Sequence, residues 1–104
     1  MGEMEDLAKE WRRHVRLAIL IALTAAPGNS LNESILHTHL KGPRLRFKAT
    51  RDQVRQEMRW LGEQGLVTLE GAEEDFLVAT LAETGLEVAE GQRRHHGVKS
   101  PALD

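Results

Sequence analysis

Seven basic side chains lie between positions 41 and 59 of this 104-residue chain, and they are its clearest candidates for binding chemistry. The same segment holds Asp52 and Glu57, so its net charge is +5, whereas the whole chain has a net charge of −2. A basic segment on an otherwise acidic chain attracts polyanions to one face and repels them elsewhere. The seven residues are Lys41, Arg44, Arg46, Lys48, Arg51, Arg55 and Arg59.

The residue types in this segment suit the recognition of double-stranded DNA. Arginine can bind guanine through two hydrogen bonds, glutamine can bind adenine in the same way, and lysine or arginine can bind phosphates. A solvated helix face or a protein-binding surface would also account for the charges. The expected DNA-binding set is Arg44, Arg46, Lys48, Thr50, Arg51, Gln53, Arg55, Gln56 and Arg59.

Other chemistry has little support in the sequence. The chain has no cysteine, which excludes disulfides and thiolate sites, and it contains no phosphate-binding glycine loop, serine nucleophile motif or zinc-protease motif. His37 and His39 are two residues apart, which places them on opposite sides of a helix and prevents them from sharing a metal ion. The exposed pair His95 and His96 is no stronger a candidate. We therefore expect no enzymatic activity, cofactor, metal or small-molecule ligand.

The basic segment overlaps a predicted helix over residues 50–64. Thr50 and Gln53 have capping-box spacing, Val54, Met58 and Leu61 form an apolar stripe, and Gly65 ends the helix. The alternation of apolar and basic residues predicts a short strand over residues 45–49 before this helix.

Two further helices are predicted before this strand. The first covers residues 6–26. The second ends near residue 40 and is capped by Ser30 through a capping box with Glu33, or alternatively by Asn32. Its expected inward residues are Leu31, Ile35, Leu36 and Leu40.

After Gly65 the apolar period changes from about 3.6 to 2, which predicts a β-hairpin of residues 66–70 and 76–80. A last helix is predicted over residues 82–90. Residues 92–104 have almost nothing to bury, so we expect a flexible tail after a domain of residues 1–91.

This element order predicts a mainly helical α+β fold of the winged helix-turn-helix type. In DNA-binding proteins of this type the third helix enters the major groove. The predicted hairpin tip argues against contact with DNA there, because Glu73, Glu74 and Asp75 would repel phosphates.

The first helix is apolar on nearly every side from Leu17 onward, which predicts a homodimer. Trp60 lies away from the inward stripe, so the first helix or a partner covers it, or it is exposed. The ten-residue apolar stretch 17–26 is too short to span a membrane, and we expect a cytoplasmic protein of a bacterial host. The expected dimer interface consists of Trp11, Leu17, Leu20, Ile21 and Leu23.

Several segments resemble known proteins. VRQEMRWLGEQGLVTL at 54–69 resembles the recognition helix and first wing strand of MarR-like and ArsR-like regulators, and LAETG at 81–85 resembles their Leu-Thr-x-x-Gly motif. Ala82 lacks the hydroxyl of that motif, so we expect Thr80 to cap the last helix instead.

A second resemblance covers nearly the whole chain. LNESIL at 31–36, TRDQVRQEMRWLGEQGLVTLE at 50–70 and GVKSP at 97–101 resemble small winged-helix proteins of Mu-like transposable phages and prophages. This resemblance implies DNA binding by a phage regulator. The alternative is a non-enzymatic phage adaptor or assembly protein that binds other proteins through the same fold.

Overall fold

The computed structural model describes residues 2–71 and 76–101, and this part of the chain forms four α-helices and a three-stranded antiparallel sheet. The predicted class is confirmed: the fold is α+β, mainly helical, with a hairpin wing in a winged-helix-like arrangement. The elements are α1 (Glu3–Ala25), a single 3-10 turn (Pro27–Asn29), β1 (Ser30–Asn32), α2 (Glu33–Lys41), α3 (Arg51–Glu63), β2 (Val67–Glu70), β3 (Val78–Leu81) and α4 (Glu83–Ala89).

The sheet has the strand order β1-β3-β2, so the last strand in the chain lies in the middle. Ala79 of β3 is opposite Leu31 of β1 and Leu69 of β2. The predicted hairpin directly after the third helix is therefore confirmed. The acidic residues 73–75 that were expected at its tip lie outside the described residues.

The prediction of a strand over residues 45–49 is wrong. Arg46 has a φ of 57°, in the left-handed region, and an extended strand cannot accommodate that angle. The Phe47 amide donates to the Leu40 carbonyl at 2.8 Å, so this loop folds back onto the end of α2. The strand that completes the sheet is instead β1, which directly precedes α2.

N-caps were predicted from the sequence for α2, α3 and α4, and the structure forms a predicted cap at α2 and at α3. Thr50 and Gln53 form the predicted capping box of α3, and Asn32 caps α2 by accepting the Ile35 amide hydrogen at 2.8 Å. Ser30 does not cap α2, because it lies in β1 and accepts a hydrogen bond from the Thr80 hydroxyl at 3.0 Å. Because the Thr80 hydroxyl donates to Ser30, Thr80 does not cap α4 as predicted. The N-cap residue of α4 is Ala82, which has no side-chain hydrogen bond.

The core lies between the helices and one face of the sheet. The predicted stripe of α3 is confirmed, because Val54, Met58 and Leu61 are fully buried. The prediction for α2 is only partly right: Leu36 and Leu40 are buried, but Ile35 is exposed.

The C-terminal segment after α4 packs on the domain as far as residue 101. Val98 is buried at 2% exposure, and the Lys99 amide donates to the Arg13 carbonyl of α1 at 3.1 Å. The His95 ring meets Trp60 edge-on at a centroid distance of 5.2 Å. The expectation of a flexible tail rested on residues 92–104 having nothing to bury, and for Val98 that premise is wrong.

Candidate nucleic-acid interface

The candidate interface consists of the loop 42–50 and the outward side of α3. The capping box starts α3 at Arg51, and the burial of its apolar stripe turns Gln56 and Arg59 toward solvent. Three basic side chains of the loop that directly precedes α3 are also exposed, namely Arg44, Arg46 and Lys48. Members of both predicted sets, in the loop and on α3, are therefore accessible to a ligand.

Glu33 lies behind this surface and is almost completely buried. Its carboxylate accepts a hydrogen bond from the Leu77 amide at the start of the β3 segment and another, at 2.9 Å, from Nε of Arg51. Nε of Arg55 lies 3.5 Å from the same carboxylate. One buried carboxylate therefore links α2, α3 and the wing.

The ionisation of Glu33 follows from these partners. Burial alone would raise the pKa of its carboxyl group, but the hydrogen bonds from the Leu77 amide and Arg51, together with the positive charges of Arg55 and Arg51, outweigh burial and lower the pKa from its ordinary value of 4.5. Glu33 is consequently a carboxylate at neutral pH, and it holds both arginines by charge.

The contacts with Glu33 leave the two arginines partly accessible. The side chain of Arg51 is 45% exposed and that of Arg55 is 22% exposed. Nε of Arg55 is buried and has no hydrogen bond to any residue that the structure describes, because its distance to Glu33 is long. Since both contacts use Nε, the outer part of each guanidinium group remains available for a ligand at the surface.

Other members of the predicted DNA-binding set also have intramolecular contacts. Gln53 accepts the Thr50 amide hydrogen at 2.8 Å, so the carbonyl oxygen of its side chain is occupied by the capping box. Arg46 donates from Nε to the Pro43 carbonyl at 3.0 Å. Gln56 and Arg59 are exposed members of α3, and no contact of this kind joins them to the rest of the described residues.

A second buried carboxylate, Glu57, was not found from the sequence. It lies 2.6 Å from Nε of Arg16 on α1, and both side chains are nearly buried. Arg16 also donates to the Gly97 carbonyl at 3.0 Å and stacks over the Trp60 ring at 3.7 Å. Trp60 is thus covered by α1 and by the C-terminal segment.

The burial of Glu57 changes the charge of the candidate interface. This carboxylate counts against the basic segment in the sequence, but its charge is paired with Arg16 from another helix. Asp52 is then the one exposed acidic residue between positions 41 and 59. A sequence signal existed for both carboxylates: Glu57 lies at helical spacing beside Val54, Met58 and Leu61, and Glu33 lies three and seven residues before Leu36 and Leu40.

The histidines do not form a metal site in the described part of the chain. Nε2 of His37 lies 3.0 Å from the Ala49 carbonyl, whereas His39 is exposed. The rings of His95 and His96 stack on each other at 4.6 Å. Across residues 2–71 and 76–101 there is no group of three metal-binding side chains.

The expected dimer residues fall into two groups. Leu20 and Leu23 are fully buried in the core of a single chain, so the prediction that they lie at a dimer interface is wrong. Leu17 and Trp11 are half-buried, and Ile21 is exposed.

Within the described ranges no helix is long and apolar enough to cross a membrane.

Comparison with known proteins gives two relatives. The chain is 41% identical to the uncharacterized protein gp26 of Escherichia phage Mu over 98 residues, which cover 94% of this chain and 95% of that protein. It is 37% identical to an uncharacterized protein of Haemophilus influenzae over 71 residues, which cover 68% of this chain and 67% of that protein. No protein-family model matches the chain, and no solved structure does. The relationship to a Mu-like phage protein is confirmed, and the resemblance to MarR-like and ArsR-like regulators stays a prediction.

Proposed function

The chain belongs to the family of the phage Mu protein gp26, and from this premise we propose that it binds double-stranded DNA as a phage-encoded transcriptional regulator. In this proposal the amino-terminal half of α3 enters the major groove. Arg51, Arg55 and Gln56 meet base edges, and Lys48 in the preceding loop meets phosphates.

One observation carries the proposal: basic side chains of the loop and of α3 are accessible to solvent, while Glu57 is buried and paired with Arg16. Arg44, Arg46, Lys48 and Arg59 are all exposed. Several cations along one surface are the electrostatic footprint of a protein that binds nucleic acid.

Glu33 supports the same proposal through pre-organisation. Two arginines that are held by a common carboxylate lose less side-chain freedom when they bind a base than two free arginines would. The cost is that Glu33 offsets part of their positive charge. The phosphate contacts of the loop then supply most of the affinity, and the arginines of α3 supply discrimination.

The test uses duplex fragments that cover the genome of the encoding phage or prophage, at two salt concentrations. Binding through several cations must weaken steeply as salt rises, with a logarithmic slope of about −0.9 per phosphate contact. Replacing Gln56 and Arg59 together by alanine should weaken binding to the preferred fragment. These two residues are chosen because neither contacts Glu33, so the fold is preserved.

Arg12→Ala is the matched control, because Arg12 is an exposed arginine on α1, outside the interface. It should leave binding unchanged. If no fragment binds at low salt, or if the Gln56/Arg59 variant binds as well as the control does, the proposal is wrong.

The alternative is a non-enzymatic phage adaptor or assembly protein that uses the same surface to bind protein. The contact of Arg51 and Arg55 with Glu33 favours it, because structural ion pairs of this kind do not require a nucleic acid. This alternative predicts either no binding to any fragment at low salt or binding that the surface substitutions do not change.

A further inference from the structure

Exposed apolar side chains are concentrated on two helices and one loop of the molecule. The described residues contain six large hydrophobic side chains that are exposed, and Phe76 is the one that lies elsewhere. The other five lie on α1, α2 and the loop 42–50, namely Met4, Leu7, Ile21, Ile35 and Leu45. Such a concentration indicates a surface that is covered by a partner.

Three of these residues belong to a regular stripe on α1. The spacing between successive members alternates between three and four residues over the whole helix, which is the heptad pattern of helices that pair in coiled coils. The stripe is centred about 130° around the helix from the residues that α1 buries in the core, so a single chain leaves it largely uncovered. Its members, here called the α1 seam, are Met4, Leu7, Trp11, His14, Ala18, Ile21 and Ala25.

The two ends of the α1 seam have different surroundings. Residues 2–10 are all exposed, and Met4 and Leu7 are 78% and 68% accessible. We call this part the arm. The second half of the seam forms the floor of a groove of about 590 Å³, whose walls include Leu31, Ile35 and Phe47.

We propose that a second copy of the chain covers this groove, with the two α1 helices antiparallel and the arm of each copy lying in the groove of the other. The two-fold axis then passes near His14, which meets its own counterpart. Leu7 of one copy packs on Ile21 of the other. This proposal concerns self-association and does not depend on DNA binding.

The sequence of the seam fits antiparallel pairing and does not fit parallel pairing. The large members Met4 and Trp11 face the small members Ala25 and Ala18 across an antiparallel pair. Met4 and Trp11 are seven residues apart, and so are Ala18 and Ala25, so the two large members are spaced like the two small members that they face. In a parallel pair Trp11 would face Trp11 and Ala18 would face Ala18, which leaves a crowded layer and an empty layer.

Charge complementarity supports the same occupant. The arm carries Glu3, Glu5, Asp6 and Glu10 against Lys9, a net charge of −3. The polar side chains that line the groove are His14, His39 and Arg44, and among the described residues no acidic side chain lines it. An acidic, apolar helix therefore fits this groove, and each copy of the chain supplies one.

The first experiment measures the oligomeric state by sedimentation equilibrium. We expect the wild-type chain to be dimeric at tens of micromolar, and Leu7→Glu to raise the dissociation constant by about a hundredfold or more, since the change occurs twice in the interface. Leu7 does not contribute to the core, so circular dichroism should remain that of the wild type. Gln56→Glu, an exposed change on α3, is the control and should leave the dimer intact.

The second experiment determines whether the two α1 helices are parallel or antiparallel. The chain has no native cysteine, so every disulfide that forms must involve an introduced cysteine. Under mild oxidation a mixture of Leu7→Cys and Ile21→Cys chains should form disulfide-linked pairs, and His14→Cys should form them by itself. Leu7→Cys alone and the control Gln56→Cys should give few. A monomeric wild type overturns the proposal, and so does rapid linking of Leu7→Cys to itself, which indicates parallel helices.

Discussion

The chain contains two buried glutamates that are each paired with arginine, and the two sites differ in how much of the arginine remains accessible. At Glu57 the partner Arg16 is itself nearly buried, and its guanidinium group also contacts the Gly97 carbonyl and the Trp60 ring. At Glu33 the partners Arg51 and Arg55 keep 45% and 22% of their side chains exposed.

The same pair of residue types therefore has two different roles. An arginine that is nearly buried and already contacts a carboxylate, a carbonyl group and a ring has little capacity for a ligand, so the Glu57 site joins α1, α3 and the C-terminal segment. A half-enclosed arginine is held in position and still reaches the surface. The residue types alone do not distinguish the two cases, because the difference lies in the burial of the arginine.

The largest effect is expected at the enclosed site. Arg16→Ala leaves the Glu57 carboxylate buried without a partner and removes the contacts of Gly97 and Trp60, so the free energy of unfolding should fall by about 3–5 kcal/mol. Urea denaturation measures it. The control Arg12→Ala replaces an exposed arginine of the same helix and should be close to wild type. A loss as small as that of the control would mean that the Glu57 site does not hold the fold together.

A smaller effect is expected when Glu33 is replaced by glutamine. This change keeps the shape of the side chain but weakens its contacts with Arg51 and Arg55, which should cost about 1–3 kcal/mol of unfolding free energy near neutral pH. Because the pKa of Glu33 is lowered in the folded state, its contribution is present above 4.5 and is lost as pH falls through the folded value.

The stability difference between the wild type and Glu33→Gln should therefore shrink below pH 4.5. Urea denaturation at a series of pH values measures this difference. A difference that stays constant from neutral to acidic pH would show that the charge of Glu33 does not stabilise the fold.

The next prediction tests whether the half-enclosed arginines read bases. Arg55→Ala should weaken binding to the preferred DNA by about 1–3 kcal/mol and reduce discrimination against other sequences. The substitution also leaves Glu33 with one partner fewer, so it is compared in the Glu33→Gln background, where no buried charge is left unpaired. Equal losses on preferred and random DNA would show that Arg55 contacts only the backbone.

The smallest effects are expected in the loop. Lys48→Ala and Arg46→Ala should each weaken binding to all sequences alike and reduce the salt slope by about one unit, because these side chains meet phosphates in the proposal. Titrations at several salt concentrations measure the slope. A loss confined to one sequence would move these residues from phosphate contact to base contact.

The local sequence determined the elements whose signals are short in range. The capping box of Thr50 and Gln53, the stripe of Val54, Met58 and Leu61 and the stop at Gly65 fixed α3, because helical spacing and capping depend on residues within one or two turns. The hairpin followed from the change of period after Gly65. The charge pattern also located the candidate interface.

Tertiary structure decided the features that depend on distant residues. The strand Ser30–Asn32 exists because it pairs with Val78–Leu81, and three residues do not show a strand period by themselves. The buried carboxylate of Glu33 accepts a hydrogen bond from the Leu77 amide, 44 residues away, and the sequence does not show that pairing. Val98 is part of the hydrophobic core. The composition of the C-terminal segment does not show this, because the residues that cover Val98 belong to other elements.

The apolar residues of α1 show both contributions in one helix. The sequence indicated that apolar residues surround the helix, and this observation suggested a partner. Only the packed structure assigned Leu20 and Leu23 to the core and left Met4, Leu7 and Ile21 outside it. Periodicity reports how many apolar faces a helix has, whereas the neighbouring elements determine which of those faces the chain itself covers.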